Sequence, residues 1–191
     1  MEPHQNGAAR VNSFALVAYI PDPLGSFLDR LRQKLEPNSL SPKAHVTILP
    51  PRQLPDPGMK QQAWNWLCGS LNGEPAFNIS AGGIEIFPGT HVIYLSVADG
   101  FHRLRELHHQ LNADSLQFEE RFPYHPHITL AQNLTQQQAR ELAEEASRLW
   151  AGFHGPRSFS AERLTFVQET SDKRWIDLHQ LPLAHAGVLR S

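Results

Sequence analysis

An α+β fold, with two pseudo-symmetric lobes around a central groove, is what this 191-residue sequence predicts. Three observations predict it. Strand-like and helix-like patterns alternate along the chain, their order repeats once, and both halves carry the same short polar motif at the same place. Each half reads as a βαβ-type unit contributing to antiparallel or mixed sheets. With 40% hydrophobic and 19% charged residues the chain has enough apolar surface for a real core.

Residues 14–20 (FALVAYI) read as a buried strand. The run is too short to span a bilayer and leads into Pro21-Asp22-Pro23 rather than a cleavage site, so no membrane partner is expected. Over 23–35, Leu24, Phe27, Leu28, Leu31 and Leu35 fall on one helical face. Residues 45–49 (HVTIL) alternate as a second strand, which Pro50-Pro51 is expected to end. A helix over about 58–71 would pack Ala63, Trp66 and Leu67. Strand segments follow at 77–79, 84–87 and 91–97, with a Pro88-Gly89 turn between the last two. The order then repeats: strand 92–97, helix 100–112, strand 127–131, helix 135–149, strand 158–168. FNISAGGIEIF (77–87) follows the first motif as FSAERLTFVQ (159–168) follows the second. A last strand at 174–179 would follow the turn at Ser171-Asp172-Lys173. The reading is one bilobed domain over 13–183, with half-repeats 13–87 and 92–168 and loosely ordered ends at 1–12 and 184–191.

Charge and composition exclude several function classes. Seventeen Lys+Arg against nineteen Asp+Glu give a net charge of -2, which excludes a broadly basic nucleic-acid coat and leaves room only for local contact. The single cysteine, Cys68, forbids an intramolecular disulfide and any Cys-based zinc cluster, and suits a reducing, cytoplasmic setting. The glycine-rich nucleotide loops GxGxxG and GxxxxGK[ST] are absent, as is a His-Glu-x-x-His metal pattern. Neither a cofactor nor a metal is expected. The four tryptophans read as core or interlobe packing. Eleven histidines are the one hint of chemistry near neutral pH.

The sharpest signal is the pair AHVTIL (44–49) and PHITLA (126–131). On a strand, alternation puts His45 and Thr47 on one face, and His127 and Thr129 likewise, while Val46, Ile48, Ile128 and Leu130 face the core. In a chain with this many histidines, one such match by chance has an expectation of roughly 0.05, so two at equivalent points of a repeat demand a common purpose.

These paired motifs resemble the two-histidine (2H) phosphoesterase superfamily, and within it the 2',5'-RNA ligase or RNA 2',3'-cyclic phosphodiesterase family. The resemblance covers nearly the whole chain, with His45/Thr47 and His127/Thr129 matching the family's H-x-[ST]-x motif and AHVTILPPR and YHPHITLAQ as flanks. It implies four side chains facing each other across a groove and a metal-independent attack on a phosphodiester. The implied partner is an RNA 3' terminus or a nucleotide with a 2',3'-cyclic phosphate, bound by a monomer. Elementary chemistry agrees with that implication. In-line displacement at phosphorus needs a base beside the attacking water and an acid beside the departing oxygen. Two facing imidazoles supply both, and two threonine hydroxyls can donate to the non-bridging oxygens. The catalytic candidates are therefore His45 and His127, with Thr47 and Thr129 as the phosphate clamp. Lys43, Arg52, Tyr124 and His125 flank the motifs and are candidate contacts for phosphate or base, Tyr124 as a stacking surface.

Overall fold

The computed structural model describes residues 8–37 and 42–184. Of the two ends expected to be loose, 1–7 and 185–191 lie outside the described residues. The chain runs β1 (Arg10–Tyr19), α1 (Leu24–Leu35), β2 (His45–Arg52), α2 (Lys60–Ser70), β3 (Phe77–Ile86), β4 (Ile93–Val97) and α3 (Phe101–Leu111). It continues through β5 (His127–Ala131), α4 (Gln136–Ala151), β6 (Ser158–Ala161), β7 (Arg163–Thr170) and β8 (Trp175–Pro182). The strands form two antiparallel four-stranded sheets, β2-β1-β7-β8 (sheet 1) and β5-β4-β3-β6 (sheet 2). Their outer strands β2 and β5 lie against each other.

Local chemistry accounts for most boundaries. Leu24, Leu28, Leu31 and Leu35 bury one stripe of α1, and Leu104, Leu107 and Leu111 do the same for α3. Before α3, Gly100 has φ 85°, and a Cβ there would stand 2.6 Å from the Asn78 carbonyl oxygen, so only glycine fits. Thr135 opens α4 with a capping box, its hydroxyl accepting from the Gln138 N–H while the Gln138 amide oxygen accepts from the Thr135 N–H.

The structure refines several expectations. The sequence halves are not the sheets: β3 pairs with β4 of the second half, and β7 pairs with β1 of the first, so the halves exchange their third strands. β3 is one strand where two segments were expected, because Gly82-Gly83 absorbs a register shift and the Gly83 N–H and carbonyl both bond Ser96 Oγ. The segment 158–168 is instead two strands. At Glu162 the chain crosses from Ala161, paired with Phe77 in sheet 2, to Arg163, paired with Pro182 in sheet 1. Finally, β2 runs through Pro50-Pro51 to Arg52, which an outer strand tolerates because one row of its N–H groups has no strand to meet. At its other end β1 takes in Arg10 to Asn12, and the Asn12 amide donates to the Leu54 carbonyl at 2.9 Å, so that stretch is ordered.

Helices cover one face of each sheet. α1 packs on β5 and α4, and α4 packs on β3. α3 packs on β2 and α2, and Trp64 of α2 stacks on Phe166 and His179 of sheet 1. The buried apolar side chains between helices and sheets form one continuous core shared by both halves. Trp150 belongs to it, with its indole N–H donating to the Gly82 carbonyl at 2.9 Å.

Candidate active site

His45 opens β2 and His127 opens β5, so each stands where an outer strand begins. Val46, Ile48, Ile128 and Leu130 are fully or almost fully buried on the core side, which turns His45, Thr47, His127 and Thr129 to the opposite face. All four are part-buried. The strands meet closely enough that a charge on His127 would act on His45.

Both imidazoles are held in the same way. His45 Nδ1 lies 2.7 Å from the Lys43 carbonyl oxygen, and His127 Nδ1 lies 2.7 Å from the His125 carbonyl oxygen. A carbonyl only accepts, so each Nδ1 carries the hydrogen and each Nε2 is left for a ligand. Burial lowers both pKa values. His45 falls to about 4, with the Arg32 and His127 charges adding to the effect of burial; His127 is lowered by burial and by His125. Both rings therefore favour the neutral form at pH 7.

The flanking candidates divide. Lys43 is exposed beside His45 and lends it a carbonyl. His125 does the same for His127, while its ring stands edge-on to Phe87, Tyr94 and Phe101. Arg52 is turned into the protein. It is 2% exposed, and four of its five N–H groups donate to Glu120, Asn112 and the Leu116 and Pro50 carbonyls, so its charge is spent mainly inside the protein. Tyr124 is likewise committed: one ring face stacks on His108 at 3.9 Å, and its hydroxyl donates to the Thr47 carbonyl at 2.7 Å. Burial raises that hydroxyl well above the usual phenol range, so it remains a donor. Tyr124 thus ties the segment before β5 to the middle of β2.

The motifs alone did not reveal an aromatic wall beside His127. Phe87 stacks on Tyr94 at 3.9 Å, and the His127 ring meets both edge-on at 4.9 and 5.5 Å. Tyr94 faces Thr129 across the β4–β5 ladder, and Glu85, which accepts from the Tyr94 hydroxyl, faces Tyr94 from β3. The available signal was parity: Glu85-x-Phe87 and Tyr94-x-Ser96 fall on the side of their strands that faces away from Ile84, Ile93 and Leu95. The corresponding face of sheet 1 has no such stacked pair; there Ala15, Val17 and Val167 pack with Tyr19 and Trp175.

Among the described residues, no group of three or more His, Cys, Asp or Glu side chains is placed to hold a metal ion. Nor is any described helix long and apolar enough to cross a membrane.

Comparison with known proteins gives a consistent picture. The family profile described as the 2'-5' RNA ligase superfamily matches residues 20–173. A Staphylococcus aureus protein whose name assigns it to the phosphoesterases is 29% identical over 116 residues, 60% of this chain and 68% of the relative. Among solved structures, Escherichia coli LigT complexed with 3'-AMP superposes with a TM-score of 0.63 at 17% identity, over 93% of this chain and 99% of that one. Kluyveromyces marxianus Usb1 gives 0.55 at 10% identity, over 90% and 98%. At these identities the two structures establish a shared fold.

Proposed function

This chain belongs to the 2'-5' RNA ligase superfamily of 2H phosphoesterases, and from that premise we propose that it is a phosphodiesterase that opens 2',3'-cyclic phosphates at RNA or nucleotide termini. The observation that carries the reading is the matched pair of Nδ1-to-carbonyl bonds, which leaves two Nε2 atoms for one substrate. A phosphate between them meets a nitrogen on each side, the arrangement that in-line displacement requires.

In the reaction, one neutral imidazole removes a proton from water as its oxygen bonds to phosphorus. The other, protonated, gives a proton to the ribose oxygen as the P–O bond breaks. The product is a phosphomonoester, and the two rings end with their protonation states exchanged. Thr47 and Thr129 donate to the non-bridging oxygens and so stabilise the negative charge that develops there. An anionic substrate also raises both depressed pKa values, so phosphate binding itself supplies the protonated member of the pair. The Phe87–Tyr94 wall offers a nucleobase a stacking surface beside His127. That this fold receives a phosphorylated nucleoside in Escherichia coli LigT complexed with 3'-AMP supports the same reading.

The test is turnover of 2',3'-cyclic nucleotides, and of a short RNA ending in a cyclic phosphate, with EDTA present, followed by phosphorus NMR. The expected result is a single phosphomonoester isomer, lost in His45→Ala and His127→Ala. Binding without turnover, or turnover unaffected by both substitutions, would overturn it.

A further inference from the structure

The bond that orients His45 is only as firm as the Lys43 carbonyl that accepts it, and that carbonyl is flanked by two fixed points. Asp29 Oδ1 accepts from the Ala44 N–H at 2.7 Å, and Arg32 Nη1 donates to the Pro42 carbonyl at 2.6 Å. The two side chains are themselves paired at 3.3 Å. They sit one turn apart in α1, and Arg32 is 9% exposed, so the clamp is built into the helix rather than laid over the surface. The peptides on both sides of Lys43 are thereby anchored to a rigid element.

The second half lacks this device and has another. The residue before its histidine is Pro126, which has no N–H for a carboxylate to hold. Matching the leucine stripes of α1 and α3, Leu28/Leu31/Leu35 on Leu104/Leu107/Leu111, places Arg105 opposite Asp29 and His108 opposite Arg32. His108 serves elsewhere, with Nδ1 on the Ile48 carbonyl and its ring on Tyr124. Pro126 instead restricts the His125 backbone directly and so directs its carbonyl.

We propose that Asp29 and Arg32 are positioning residues for His45, holding segment 42–44 so that the Lys43 carbonyl keeps the imidazole in its Nδ1–H form. The inference rests on the phosphodiesterase reading only for its effect on rate. The tautomer itself is measured without turnover. In wild type, long-range proton–nitrogen correlation spectra of histidine-labelled full-length protein are expected to show a single Nδ1–H form for both His45 and His127. Asp29→Ala and Arg32→Ala are each expected to turn His45 alone into a tautomer mixture and to lower kcat about 10- to 100-fold, with KM little changed. Arg32→Lys should recover part of the single form. The pair also has a charge signature: Arg32 lowers the His45 pKa and Asp29 raises it, so the two alanine variants should shift its titration in opposite directions. If the alanine variants fail to fold, Asp29→Leu and Arg32→Met, which fill similar space but can neither accept from Ala44 nor donate to Pro42, carry the same readout. A His45 that stays a single Nδ1–H form in the folded variants overturns the proposal, whatever the activity.

Discussion

β2 and β5 carry the same four-residue pattern and the same imidazole-to-carbonyl bond, yet little behind them is the same. β2 ends in the buried Arg52–Glu120 pair, whereas the position equivalent to Arg52 beyond β5 is Leu134. The ring beside His45 is Tyr19 at 6.3 Å, on a sheet face that packs Ala15, Val17 and Val167 with Trp175; beside His127 stands the Phe87–Tyr94 wall. Symmetry is thus kept at the atoms offered to a ligand and given up in what supports them. A phosphate is nearly symmetric and a nucleotide is not, so the inner site can serve the one while its surroundings orient the other.

Several substitutions would break or sharpen this contrast. The largest effect is symmetric: His45→Ala and His127→Ala should each lower kcat by about 10²- to 10⁴-fold, and the double variant should fall little further, because the two act as one unit. Single-turnover kinetics on a cyclic nucleotide would show it, and equal additive losses would contradict it. Next is an effect confined to the first half. Arg52→Met leaves the part-buried Glu120 without its partner and should cost about 3–5 kcal/mol of stability in denaturant unfolding. If instead it raised KM for phosphate with stability intact, Arg52 would be a substrate contact after all. A smaller, one-sided effect is expected at the aromatic wall: Phe87→Ala should raise KM for a cyclic nucleotide by about 1–3 kcal/mol of lost stacking. A cyclic phosphate without a base should not notice the change. Tyr124→Phe should cost about 1 kcal/mol of stability, since only its bond to the Thr47 carbonyl is lost.

Acidity tests both halves at once. For the free protein, kcat/KM should be bell-shaped, rising as pH passes about 4 and falling before 6.5, because both imidazoles are shifted below the ordinary histidine value. The same shifts act on folding. Between 6.5 and about 4 the unfolded chain binds a proton on His45 that the folded chain does not, and the lowered His127 acts in the same direction below 6.5, so stability should drop as pH falls through that window. Chemical unfolding at a series of pH values, repeated with His45→Ala, would isolate the contribution of His45.

Much of this was legible in the sequence, for reasons particular to each residue. Period-2 alternation in HVTIL and HITLA fixed which side chains leave the core, and leucine spacing fixed the buried stripe of α1. Pairing partners were not legible: nothing local to 77–87 says that its neighbour is β4 rather than β1. The commitments of Arg52 and Tyr124 were hidden for the same reason, because Glu120 and Thr47 come from distant points of the chain. Nothing in the sequence marks Asp29 and Arg32; only the fold brings segment 42–44 to them.

The exchange of third strands bears on the order of synthesis. β1 and β2 leave the ribosome early, but the strand that completes their sheet on the other side, β7, is made only after residue 162. Until then β1 presents an open edge ready to pair with any extended chain. The nascent chain is therefore vulnerable to aggregation from the emergence of β1 until β7 has been made, and truncation before Arg163 should leave β1 open on that side.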